Sequence, residues 1–325
     1  MISLPFSVYD ADQVELELAS AERAHQLLDA HLPDAKRQLI ALARGCRLND
    51  DREMTAVIDA LVIAHARMAT RNGCLSARPL EYHNDQHAID LVWRLQRMRD
   101  AADCDEMDGQ SLLTLILFAT MHDLRQDEQQ REGDVGANEL ASIAEARRIL
   151  AACGLDLQRW FDPLKWMIAG STFAVPSTRH HIEGGALASR LMTDLARELP
   201  DDQLNLLAWG ADIDTASVAD PFPAFARSAV ALCSEREYRL GREMGTDSAV
   251  SVLQFLTDAQ WQFFFTLHRF HSPLALRTFG PDKQANAHLL KTLISSVKQA
   301  TEEKALDRGD SIAEVFVVLA DDLAS

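Results

Sequence analysis

Glu81-Tyr82-His83-Asn84-Asp85-Gln86-His87-Ala88-Ile89-Asp90 runs straight into Leu91, Val92, Trp93, Leu95 and Met98, whose apolar residues recur with helical spacing. Read as one helix, the stretch puts His83 and His87 one turn apart on a single face. Imidazole is the commonest metal ligand and titrates near neutral pH, so two on one face fit a metal site, a proton transfer or both. They fit equally well a capped surface helix that carries two stray histidines. What decides between these lies further along the chain.

On the N-terminal side, helical spacing recurs over residues 11–31 and 34–46, and Asn49-Asp50-Asp51 offers a cap and an acidic first turn for a helix reaching about residue 70. Arg71-Asn72-Gly73 reads as a stop, and Pro79 bars a continuous helix into the histidine stretch. Residues 1–75 are therefore expected to form a helical segment packed on a core built from residues 76–325. Downstream, residues 111–121 are apolar almost all round, the mark of a buried helix, and they end in His122-Asp123. Burying that pair is costly unless the two are paired or bound to a cation.

Residues 124–136 read as a loop. Residues 138–150 return to helical spacing, with Asn138 as a cap and Glu139 as a first-turn acid. A helix from Pro163 to about residue 170, a loop over 171–179, the vicinal pair His180-His181 and a helix opened by Gly184-Gly185 come next. Residues 204–217 form a helix carrying Asp212 and Asp214, closed by Asp220-Pro221-Phe222-Pro223. The final third is helical in pattern over 225–244, 258–270, 285–305 and 311–323. It holds the one dense aromatic cluster, Trp261, Phe263, Phe264 and Phe265 beside Gln260 and Gln262. With no convincing strand pattern and no internal repeat, the expected fold class is all-α, a single large multi-helix bundle.

The formal charge of −17 gives a negative field that opposes nucleic-acid polymers and anionic lipid, so a small phosphorylated substrate needs a local cation. Five widely spaced cysteines without a CxxC pair indicate reduced thiols. The N-terminus lacks the features of a secretory signal, and the longest apolar run, residues 112–121, is too short to span a bilayer. A cytoplasmic location is the expectation.

His87, His122, Asp123 and Asp212 supply two imidazoles and two carboxylates, a set suited to a divalent metal such as Mg, Mn, Zn, Ni, Co or Fe. Asp123 can in principle bridge a second ion, and His83 stands where it can protonate a leaving oxygen. In this order on a helical chain, the four residues resemble the His…His-Asp…Asp signature of the HD superfamily of metal-dependent phosphohydrolases. More narrowly, residues 82–91 are similar to the YHNxxHAxDV segment of class I cyclic-nucleotide phosphodiesterases. Weaker similarity continues to about Pro273: Trp166 to Thr172, Gly210-Ala211-Asp212, Glu235 to Gly245, and Gln260 with Phe263 at the spacing of that family's base-holding pair.

The resemblance implies His87, His122, Asp123 and Asp212 as ligands of a first metal, Asp123 as a bridge to a second, and His83 as general acid on a nucleotide phosphate ester. It places Asn84, Gln126 and Glu139 around the ligands or at the second metal, and Gln260 and Phe263 at the substrate. The family's HDxxH is here His122-Asp123-Leu124-Arg125-Gln126, with glutamine in place of the last histidine, Phe173 replaces an acid, and residues 127–134 form an acidic insertion. Two other readings stand beside it. One is an HD-fold di-iron oxygenase whose second iron is completed by Glu139, His180 or His181. The other is a non-catalytic helical protein with a structural metal.

Overall fold

The computed structural model describes residues 4–103, 106–128, 135–173 and 187–325, and among them every regular element is helical. His180, His181, the Gly184-Gly185 helix start and most of the acidic insertion lie outside the described residues. The helices are α1 (Gln13–Glu17), α2 (Ala21–His31), α3 (Pro33–Gly45), α4 (Asp51–Arg71), α5 (Asp85–Ala101), α6 (Gly109–Met121) and α7 (Ala137–Ala152). They continue as α8 (Leu157–Gly170), α9 (Ala188–Leu195), α10 (Asp201–Thr215), α11 (Phe222–Arg239), α12 (Ala249–Gln254), α13 (Pro273–Glu303) and α14 (Gly309–Leu323). No helix among the described residues is long and apolar enough to cross a membrane.

Local chemistry sets the starts. Asp12, Ser20, Asp50, Asn84, Asp108, Asp156 and Ser272 each accept backbone N–H groups of the first turn they precede. The Ser20 cap divides the helix expected over 11–31 into α1 and α2. The Asp156 cap starts α8 ahead of Pro163, which lies inside the helix rather than at its head.

The chain divides into two compact units, one of residues 1–79 and 83–214, the other of residues 80–82 and 215–325. The division falls at Asp214 and not near residue 75, because the N-terminal helices share a core with α6 and α7. Helices α1, α2 and α3 pack on α4, and α4 in turn packs on α6 and α7. At the centre of the first unit is α6, with Leu113 through Met121 all buried and α4, α5, α7 and α8 around it. A buried charge network ties α1 to this core. Arg67 donates to Glu15 and Glu145 at 3.3 and 3.2 Å and to the Leu18 carbonyl, while Arg71 pairs with Asp12 and Glu145 and Arg148 with Glu15. Burial pushes the Glu145 carboxyl up to about 7 against the pull of Arg71.

The second unit has its own core, in which Phe222, Phe225, Leu256, Leu290, Leu293 and Phe316 are buried together. Helix α12 runs on into two π-helical stretches, Phe255–Ala259 and Gln262–Leu267. Buried His268 comes directly after them, with Nε2 2.9 Å from the Thr215 hydroxyl and Nδ1 2.7 Å from Lys283 Nζ.

Candidate metal centre

Asn84 begins the site. Its side-chain oxygen accepts from the backbone N–H groups of Gln86 and His87, so α5 starts at Asp85 and His83 lies just outside it. The expectation of two histidines on one helical face is thereby corrected: His87 sits in the first turn and His83 in the bend before it. The rings nonetheless stay near each other, with centroids 6.1 Å apart. His83 is half-buried and His87 buried. Asp85 fixes the same end of α5 by accepting from the Cys74 N–H at 2.9 Å. Residue 73 has to be glycine for this approach, since a Cβ there would meet the Asp85 carboxylate at 1.8 Å.

His122 caps the C-terminal end of α6, its N–H bonded to the Phe118 carbonyl and its ring 4.9 Å from that of Phe118. The next turn is gripped by the end of α4. Asn72 Nδ2 donates to the Asp123 carbonyl at 3.3 Å, and Arg71 donates to the Leu124 carbonyl at 2.6 Å. His87, His122 and Asp123 form a buried group able to hold a metal ion, their donor atoms within 4.8 Å of one another.

The fourth side chain is Asp214, not Asp212. Its Oδ1 lies 3.5 Å from both His87 Nε2 and His122 Nε2. Two residues along an α-helix differ by about 200° in direction, so only one acid of the Asp212-Ile213-Asp214 run can face the histidines from α10. Asp212 is fully buried on the same helix, with partners of its own. Arg94 helps to hold this rotation: buried, two turns along α5 from His87, it donates to the carbonyls of Ile213 and Asp214 at 3.3 and 3.4 Å. The sequence reading misses Arg94, although its seven-residue spacing from His87 places it on the same helical face.

Several polar atoms here have no ordinary partner. Both ring nitrogens of His122 and Oδ2 of Asp123 are buried without a hydrogen bond, although His122 Nε2 and Asp123 Oδ2 stand only 3.0 Å apart. Buried polar groups are nearly always satisfied, and two imidazoles converging with two carboxylates on such orphaned atoms fit a bound cation. The electrostatics agree. Burial works to raise the Asp123 and Asp214 carboxyls, yet the facing histidines hold both well below the usual carboxylate range. Burial likewise disfavours charge on the imidazoles and lowers His87, whereas the two carboxylates overcome it at His122 and raise that ring well above its ordinary value. The raised His122 ring is the positive charge that answers the two carboxylates, the role a bound cation would take.

Gln126 reaches Asp123 as well, Nε2 donating to Oδ1 at 2.8 Å. Asn138 is not a cap; α7 is preceded by Gly136, and Asn138 Nδ2 donates to Gln126 Oε1 at 3.3 Å. Glu139, in the first turn of α7, is pushed up to about 7, chiefly by burial and further by the Asp123 charge. Gln260 and Phe263 belong to the second unit. There the Gln260 side-chain oxygen is buried with no hydrogen bond, and Phe263 packs edge-on against Phe264 at 4.7 Å between centroids. Phe173, at the position where the resemblance calls for an acid, is exposed. No protein-family model matches the chain, and no curated protein matches it.

Proposed function

We propose that the protein is a metal-dependent phosphohydrolase that cleaves a phosphate ester, in the first instance that of a nucleotide. The observation that carries the reading is the convergence of His87, His122, Asp123 and Asp214 on buried polar atoms that lack hydrogen-bond partners. Its second support is the resemblance of residues 82–91 to the phosphodiesterase segment and of the wider ligand order to the HD superfamily.

These four residues would hold a divalent ion. When bound, such an ion lowers the pKa of water and withdraws charge from a phosphoryl oxygen. The chain's own contribution is threefold. Asp123 and Asp214 concentrate negative charge beside His87 and His122, where a cation would be held in a protein whose net charge of −17 otherwise repels phosphate. His122, its ring tilted against that of Phe118, and His87, fixed by the Asn84 cap, bring their Nε2 atoms to the carboxylates. His83, half-buried beside His87 and close enough to help hold down the Asp123 carboxyl, would carry the proton to the departing oxygen.

The test is direct. Protein supplied with Mn, Mg, Ni or Co should hydrolyse bis-p-nitrophenyl phosphate or a member of a nucleotide panel. The activity should disappear with a chelator and return with metal. Failure on every ester with every ion overturns the reading.

A further inference from the structure

Resting on that metal-centre reading, we infer that the centre takes a single divalent ion and that Gln126 is the residue that limits it to one. A carboxylate that bridges two ions offers one oxygen to each. In Asp123 the two oxygens are already differentiated: Oδ2 is buried without a hydrogen bond beside His122, while Oδ1 accepts from the Gln126 amide at 2.8 Å. The orientation of that amide is set by a chain of contacts that begins at a group with no choice of role. The backbone N–H of Glu128 can only donate, and it donates to Asn138 Oδ1 at 3.0 Å. Asn138 Nδ2 therefore faces Gln126 Oε1, at 3.3 Å, and the Gln126 NH₂ group is turned onto Asp123. The side of Asp123 where a second cation would bind is thus occupied by the positive end of an amide dipole. Turning that amide over would break the bond with Asn138. The leaving oxygen then depends on a proton from His83 rather than on a second ion.

Metal content measured by plasma mass spectrometry on protein equilibrated with Mn(II) and desalted, together with its electron paramagnetic resonance spectrum, tests this without any assay of turnover. The unaltered protein is expected to hold one ion per chain with an uncoupled six-line Mn(II) signal. Gln126→His, which replaces the donor amide by a ring able to present a lone pair, is expected to hold two ions with an exchange-coupled spectrum. Asn138→Ala keeps Gln126 but releases its orientation, and should raise occupancy above one. It also serves if the Gln126 variant does not fold. Two coupled ions in the unaltered protein, or a folded Gln126→His that stays at one, overturn the inference and leave the metal centre standing. No retained ion in the unaltered protein overturns the metal-centre reading and this inference with it.

Discussion

Replacing Asp214 by Asn should remove most of the stabilisation that metal gives the first unit, whereas replacing Asp212 by Asn should not. A ligand that binds only the folded chain adds about 2.7 kcal/mol when present at 100 times its dissociation constant. For a unit of about 200 residues, each kcal/mol moves Tm by about 2–4 °C, so the unaltered protein should gain roughly 5–11 °C from Mn(II). Even the outer partners of metal ligands are worth roughly 10–100-fold in affinity, and Asp214 Oδ1 lies 3.5 Å from both histidines. At the same Mn(II) concentration, Asp214→Asn then stands at only about 1–10 times its dissociation constant, which adds about 0.4–1.4 kcal/mol or roughly 1–6 °C. The measurement is the shift in calorimetric Tm on adding Mn(II), taken within each variant so that any change in basal stability cancels. Should Asp212→Asn abolish the shift while Asp214→Asn retains it, the assignment from α10 is wrong.

His83→Ala should lower kcat by roughly 10²–10⁴-fold while leaving metal stoichiometry unchanged; loss of both would make His83 a ligand and not an acid. Arg67→Ala removes one of the cations shared by Glu15 and Glu145, which keep Arg148 and Arg71, and should cost about 1.5–3 kcal/mol in denaturant unfolding, with Arg67→Met costing less. The pH dependence of the second unit should come largely from His268, whose ring is held down to about 3, first by burial and then by the Lys283 charge. Unfolded histidine binds its proton below about pH 6.5 while folded His268 does not, so stability falls as pH drops through that window, by about 2 kcal/mol at pH 5. His268→Gln should flatten this loss in hydrogen-exchange protection of α13, and an unchanged slope would disprove the assignment.

How much of this can be read from residues alone depends on the range of the interaction. The all-helical class and the burial of α6 come from apolar periodicity, which is local, whereas the meeting of His87 with His122-Asp123 is expected only from the resemblance to the HD superfamily. The choice between Asp212 and Asp214 is not local. Both lie in one helix, and which one faces the histidines depends on the rotation of α10, held in part by Arg94 more than a hundred residues earlier in the chain. The start of α5 is legible in principle, since Asn84 is a strong capping residue. Periodicity alone extends the helix back to His83. The contacts that tie residues 1–75 to the core are long-range as well, since nothing in the sequence pairs Glu15 with Arg67 and Arg148.

Arg94, Asn72 and Arg71 all take hold of main-chain carbonyls, those of Ile213, Asp214, Asp123 and Leu124, whereas Gln126 bonds to the Asp123 side chain. At Asp214 the support from Arg94 reaches the main chain, so that scaffold and donor chemistry are separable there. Exchanging Asp214 for His would trade oxygen for nitrogen with the supporting backbone contacts intact, and should move ion preference from hard cations toward zinc or nickel. The same helices could in this way be retuned to a different metal without being rebuilt.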